Sequence, residues 1–250
     1  MNVTKRVLIW DLPTRLFHGV LACGFAVAAI LALGFGEHHP LFPYHAIAGL
    51  TIAAMLLLRV VWGLVGTRYA RFGSFAFGPG AVITYLKGIL SGEGNRHIGH
   101  NPASAWAIFT MLTLVVGLAV TGLMLGTGRE SVEDLHNILA WCLLAVVGAH
   151  ILGVVTHTVR HRDNIIASMI HGKKDAGEEA AIGSAHPVVA LLFLLVAGAW
   201  AGSLLANYNA AAQTTRLPLA GIRLQIGEAE DGGEREAEAG EDAHGAEDDD

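Results

Sequence analysis

Apolar positions along this chain gather into five long runs separated by short polar stretches, instead of alternating or spreading evenly. The runs cover approximately 15–36, 43–65, 102–126, 132–158 and 187–207. A helix needs about 20 residues to cross the hydrocarbon of a bilayer, so each run predicts a transmembrane helix. Local start signals support this. Asn101-Pro102 offers an N-cap followed by proline at the first helical position, and Ser131-Val-Glu-Asp134 reads as a capping box with Asp in place of Glu. A further apolar stretch, 75–90, is broken by Gly78-Pro79-Gly80. The part after the break is too short to span and predicts a short helix at the membrane interface. The first run is longer than the apolar region of a signal peptide and has no small-residue cleavage site after it, so it is expected to stay as a span.

Composition strengthens the membrane reading. Of the 250 residues, 53% are apolar and 15% charged, with a mean hydropathy of +0.49; a soluble domain carries about 25% charged residues. Two cysteines, Cys23 and Cys142, exclude a disulfide scaffold, and the absence of a Cys-x-x-Cys-His sequence excludes covalent haem attachment. Both cysteines read as packing residues in apolar helices. The net charge of −6 conceals two unlike parts. Residues 228–250 hold twelve acids and one arginine, leaving ten acids and fifteen Lys and Arg in the first 227 residues. A stretch this acidic and this poor in apolar residues cannot fold alone, so the C-terminal part, 208–250, is expected to be a disordered acidic tail. The polar stretch 173–186 predicts a linker, with 175–186 separating the fifth span from the rest. Nothing in the charge pattern points to a nucleic-acid partner.

Lysine and arginine in short loops set orientation. One side carries Lys5, Arg6, Arg15, Arg59, Arg68, Arg71, Lys87, Arg96, Arg160, Arg162, Lys173 and Lys174; the turns at 37–43 and 127–131 carry only Arg129. The N-terminus is therefore expected in the cytoplasm, and the tail, after five crossings, in the periplasm.

Thirteen histidines are present, and four lie inside or at the edge of spans: His18, His45, His136 and His150. Ionisable groups in membrane spans are costly and usually face the protein interior for a functional reason. His136 and His150 share one span, fourteen residues apart, a separation about 40° short of four full turns with a rise of roughly 21 Å. Both imidazoles leave nearly the same face at two depths, so one helix could supply an axial ligand to each of two stacked haems. Depth matching pairs His45 with His136 near the outer surface and His18 with His150 near the inner. Neutral imidazole is a good iron ligand, and b-type haem is held only by its axial ligands and packing. Gly49, Gly148 and Gly153 lie near these histidines, and Gly117 and Gly122 punctuate the third span; small residues let helices approach with or without a cofactor. Arg59, fourteen residues after His45, projects toward the inner depth, where it could pair with haem propionates or simply snorkel. His157, seven residues past His150, could replace it as ligand, contact a propionate or be an interfacial histidine. The histidines in loops and tails, His100 among them, read as ordinary residues with no ligand role.

The segments VLIWDLPTRLFHGVLA (7–22), HAIAGLTIAAMLLLRVVWGLVGTRYARF (45–72), GHNPASAWAIFTMLTLVVGLAVTG (99–122) and LHNILAWCLLAVVGAHILGVVTHTVRHRDNIIASMIHGKK (135–174) resemble the bacterial di-haem b-type cytochromes of the cytochrome b561 and nickel–iron hydrogenase cytochrome b superfamily. The resemblance covers about residues 5–174. It implies an all-α membrane protein, a four-helix transmembrane di-haem bundle over 1–174, with a fifth C-terminal transmembrane helix (187–207) outside the family pattern. It also implies two non-covalent b haems on His18, His45, His136 and His150. Electron transfer would then run between the quinone pool and a periplasmic redox partner, a c-type cytochrome or a dehydrogenase subunit, in a bacterial inner membrane. Two other readings are a haem-bearing anchor subunit of a hydrogenase-like complex and a haem-free transporter using the histidines. The transporter predicts acidic residues near the span centres, and the sequence has none there.

Overall fold

A computed structural model describes residues 5–92, 97–161 and 164–228. Arg96, Arg162 and the acidic stretch 229–250 lie outside them. Five helices are long and apolar enough to cross a membrane: α1 (Leu12–Gly34), α2 (Pro43–Val65), α4 (Pro102–Gly126), α5 (Glu133–His161) and α7 (Pro187–Ala206). Short α3 (Pro79–Ser91) starts at the proline of the Gly-Pro-Gly break, and the seven-residue α6 (Ile165–His171) follows α5. The start of α4 is capped as expected: the Asn101 side chain accepts from the Ser104 N–H at 2.8 Å, and Ser104 Oγ accepts from the Asn101 N–H at 3.1 Å. The fourth span starts differently. Ser131 lies within a 3-10 turn, Glu130–Val132, with no side-chain cap at its start, because that turn and not Ser131 leads the chain into α5.

The helices form two layers. α1, α2 and α7 pack together, while α4 packs along α5 and touches the first layer through α2. Phe17, Met55 and Ala197 make the core between α1, α2 and α7, with Phe193 edge-on to Phe17. The fifth span is thus bound to the bundle and does not stand apart from it. α5 packs along α4 but not along α1 or α2. Cys23 and Cys142 are exposed and not packed in the core.

Both ends of the bundle are closed by small sheets that local pattern did not reveal. At one end β1 (Lys5–Leu8) pairs antiparallel with β2 (Lys173–Ala176), matching Lys5 with Ala176 and Leu8 with Lys173. The stretch expected as a linker is therefore pinned to the N-terminus: Ala176, Ala180 and Ile182 are buried, and the first two pack with Ile9 and Trp10. Gly172, at φ +81°, lets this turn form, since a Cβ there would sit 2.7 Å from the Trp10 carbonyl oxygen. At the other end β3 (Thr214–Arg216) and β4 (Arg223–Gln225) form a hairpin. Residues 208–228 are consequently folded, correcting the expectation of disorder from 208 onward. Leu224 and Ile226 join Ile47, Leu50 and Leu204 in one core, and the Thr215 hydroxyl donates to the Leu204 carbonyl at 2.7 Å. The run of acids begins only after this apolar pair, and residues 229–250 lie outside the described residues.

Candidate functional site

Helix starts and turns bring two histidines together, edge to face, at the hairpin end. His45 sits in the first turn of α2, and His136 in the first turn of α5, reached after α4 has returned across the bundle. Their ring centres are 6.4 Å apart. Each ring is held by Nδ1. His45 Nδ1 lies 2.9 Å from the Ala28 carbonyl on α1, and His136 Nδ1 lies 2.8 Å from Thr121 Oγ1 on α4. The Ala28 carbonyl can only accept, so His45 carries its proton on Nδ1. The Thr121 hydroxyl donates to the Gly117 carbonyl at 2.9 Å, so it accepts from His136 Nδ1–H. In both rings Nε2 is left as a lone-pair donor, the arrangement by which an outer hydrogen bond fixes a ligating tautomer. Sequence reasoning missed Thr121; a lone threonine on an apolar helix gives no signal until α5 is brought beside it.

At the other end, His18 on α1 and His150 on α5 lie within electrostatic reach of each other. They stand beside a buried basic group. Arg59 on α2 is buried; its Nη2 donates to the Ala70 carbonyl at 3.0 Å and its guanidinium carbon lies 4.6 Å above the Phe72 ring. Its Nη1 is buried with no hydrogen-bond partner among the described residues. His157 is buried near the same end of α5. His100, read from the sequence only as a non-ligand loop residue, is buried: its ring lies 4.3 Å from that of Phe75 and 4.9 Å from that of Trp10. Its pKa is pushed down to about 3, first by burial and then by the charges of Arg59, Lys174, His150 and His18. His100 looked like a loop residue because the segments that cover it come from residues 10 and 75. Asp11 was also missed. It caps α1 by accepting from the Thr14 N–H at 2.8 Å, and its carboxylate also accepts from the Trp62 indole at 3.2 Å and from the Thr67 hydroxyl, tying the ends of α1 and α2 together.

These features fit haem. His45 and His136, with ring centres 6.4 Å apart and each Nδ1 engaged, would offer two Nε2 atoms to one haem iron. The helices carrying the facing histidines, α5 against α1 and α2, are the ones that do not pack together. A Cβ at Gly19, Gly49, Gly148 or Gly153 would meet nothing within 4 Å, so those surfaces are flat and open beside the histidines. Gly117 and Gly122 act differently, admitting Leu139 and His136 against α4. Among the described residues no three His, Cys, Asp or Glu side chains converge to hold a bare metal ion. Pairs of imidazoles supply two nitrogens, the number needed by an iron whose other four ligands are a porphyrin's. The unpartnered Arg59 Nη1 suits a carboxylate.

A helical membrane bundle with paired imidazoles on facing helices defines the class of membrane-embedded b-type cytochromes. The comparisons agree: the family described as Prokaryotic cytochrome b561 matches residues 9–172, and the chain belongs to it. Its cofactor is accordingly b-type haem, and it is a multi-pass membrane protein of electron transport. Similar curated proteins include the probable Ni/Fe-hydrogenase B-type cytochrome subunits of Rhizobium leguminosarum bv. viciae, 26% identical over 68% of this chain and 89% of that protein, and of Bradyrhizobium diazoefficiens, 26% identical over 67% and 85%. The probable Ni/Fe-hydrogenase 1 B-type cytochrome subunit of Escherichia coli K12 is 21% identical over 66% and 88%. No solved structure matches the chain significantly.

Proposed function

We propose that this protein carries electrons across a bacterial inner membrane through two b haems, one between His45 and His136 and one between His18 and His150, linking the quinone pool to an oxidoreductase subunit on the periplasmic side. The observation that carries this reading is the His45–His136 pair, 6.4 Å apart with each Nδ1 engaged. Haem iron, when bound, supplies one-electron exchange at each level. The chain's own work is to hold and tune. The Ala28 carbonyl and Thr121 keep Nε2 of the outer imidazoles unprotonated, and the buried Arg59 guanidinium offsets carboxylate charge at the inner level. Of the two inner candidates on α5, His150 is assigned as the ligand, since it interacts electrostatically with His18 and lies two helical turns deeper than His157. The excess of Lys and Arg on its side supports a cytoplasmic N-terminus, with the hairpin and tail toward the periplasm.

The relatives are named as hydrogenase cytochrome subunits, which favours a bound oxidoreductase as partner, the haem-bearing anchor role. The acidic stretch after residue 228 favours a second partner, a soluble basic c-type cytochrome drawn by long-range charge. Pyridine haemochrome assay of the purified protein should count two b haems per chain; colourless protein made with ample haem supply would overturn the proposal. Copurification of a redox subunit selects the anchor role. A reaction with a c-type cytochrome that slows at low salt when 228–250 is deleted selects the other.

A further inference from the structure

Beyond α2 the chain turns back through Thr67 to Phe75, and this turn and the helix end line an open, shallow pocket of about 420 Å³, formed chiefly by Leu64, Arg68, Arg71, Phe72, Gly73 and Ser74. Its shape is built in. Gly63 lets the Phe72 ring lie so close that a Cβ there would meet it at 2.2 Å. The Ser74 hydroxyl donates to the Arg71 carbonyl at 2.7 Å, fixing the turn. Two guanidinium groups stand at its rim, and among the described residues neither has a carboxylate partner: the ion pairs there are Lys5 with Glu178 and His38 with Glu228. Arg68 lies over the Tyr69 ring at 5.4 Å, a contact that leaves its N–H edge free for an acceptor.

Toward the bilayer the pocket continues into an apolar strip of α2. Leu57, Val61, Leu64 and Val65 project there with 69%, 54%, 67% and 70% of their surfaces exposed. Cationic rim and apolar wall meet where a phospholipid's phosphate meets its acyl chains. We infer that this pocket binds the phosphate of an anionic phospholipid, with Arg68 and Arg71 on the headgroup and the acyl chains laid along α2. Guanidinium is suited to phosphate by geometry as well as charge, and basic pockets beside transmembrane helices are suited to anionic lipid. A soluble phosphate would leave the apolar strip uncovered. The described chain stops at residue 228, and Gly227 lies against Pro43, at the opposite end of a 23-residue helix that is about 35 Å long.

The test is native mass spectrometry of the full holoprotein released from nanodiscs of phosphatidylcholine mixed with phosphatidylglycerol. Wild type should retain phosphatidylglycerol in preference to phosphatidylcholine, and R68Q/R71Q should lower that preference about tenfold. Gly73 has an ordinary φ and open space around it, so G73L fills the pocket with both charges kept and should lower the preference equally. K87Q, a cation on α3 outside the pocket, should change it less than twofold. An unchanged preference in R68Q/R71Q overturns the site, and an unchanged preference in G73L shows diffuse surface charge in its place. Displacement of the lipid by a soluble poly-glutamate peptide assigns the pocket to a protein partner and also overturns it. Circular dichroism checks that each variant keeps its helix content, and because haem is not part of the readout, the result is independent of the haem count.

Discussion

The two ends of this bundle prepare their imidazoles in different ways. At the hairpin end, His45 and His136 are in ring contact and each is locked by one hydrogen bond from a neighbouring helix. At the other end, among the described residues, no such ring contact joins His18 and His150; that level is instead ringed by Arg59, His100, Lys174 and the Asp11 tie. One site is organised by helices alone, the other by helices and the loops that close over them. Helix-built geometry fixes ligand direction, while loop-built surroundings fix charge. Each can therefore be broken separately.

The largest expected effect is loss of one haem of two. His136→Ala should remove the outer haem and spare the inner, and His18→Ala should do the reverse, read as a fall from two to one in the haemochrome count. Retention of both haems in either variant sinks the pairing, and a His157→Ala variant that loses the inner haem while His150→Ala keeps it sinks the ligand choice.

Next in size is the support of the outer pair. Thr121→Val removes the acceptor of His136 Nδ1–H with little change in shape. Losing such an outer hydrogen bond typically costs about 10–100-fold in metal affinity, so haem transfer to excess apomyoglobin should speed up for the outer haem only. Equal rates for both levels would deny the difference between the two ends.

Arg59→Gln acts on the inner level through charge. With the guanidinium gone, a nearby haem carboxylate loses its counter-charge, the oxidised iron is favoured, and the inner midpoint potential should fall. A contribution of about 1 kcal/mol corresponds to about 40 mV for one electron. Potentiometric titration should show the outer haem unmoved.

The smallest effect concerns His100. Its folded-state pKa, about 3, lies below the ordinary value of 6.5. A histidine kept neutral by folding takes up a proton only on unfolding between those values, so its contribution is fully present above about pH 6.5 and is lost progressively as pH falls toward 3. Thermal unfolding midpoints measured from pH 7 to pH 5 should drop by a few degrees more in wild type than in His100→Gln. Parallel curves would place the His100 ring in water.

The helices were readable from the chain because each satisfies its own backbone and each carries an apolar run of bilayer length. The five expected runs and the five observed spans differ by only a few residues at their ends. Histidine spacing within α5 was readable for the same reason, since fourteen residues on one rigid helix fix both angle and depth. Pairing across helices was inferred from depth alone, and the ring contact of His45 with His136 has no counterpart in any local pattern.

What escaped the sequence lies where distant segments meet. Thr121 orients His136 only after α4 and α5 lie side by side, and His100 is buried only because Trp10 and Phe75 close over it. The β1–β2 clamp joins residues 5–8 to 173–176, far too distant for any periodicity to connect, and the hairpin at 214–225 is held by an apolar pair inside a polar stretch. Hydrophobicity and helix period are properties of neighbours along the chain, so the sequence determined the spans and the faces of their histidines. Ring separation, tautomer and buried charge depend on groups brought together from remote positions, and only tertiary packing decided those.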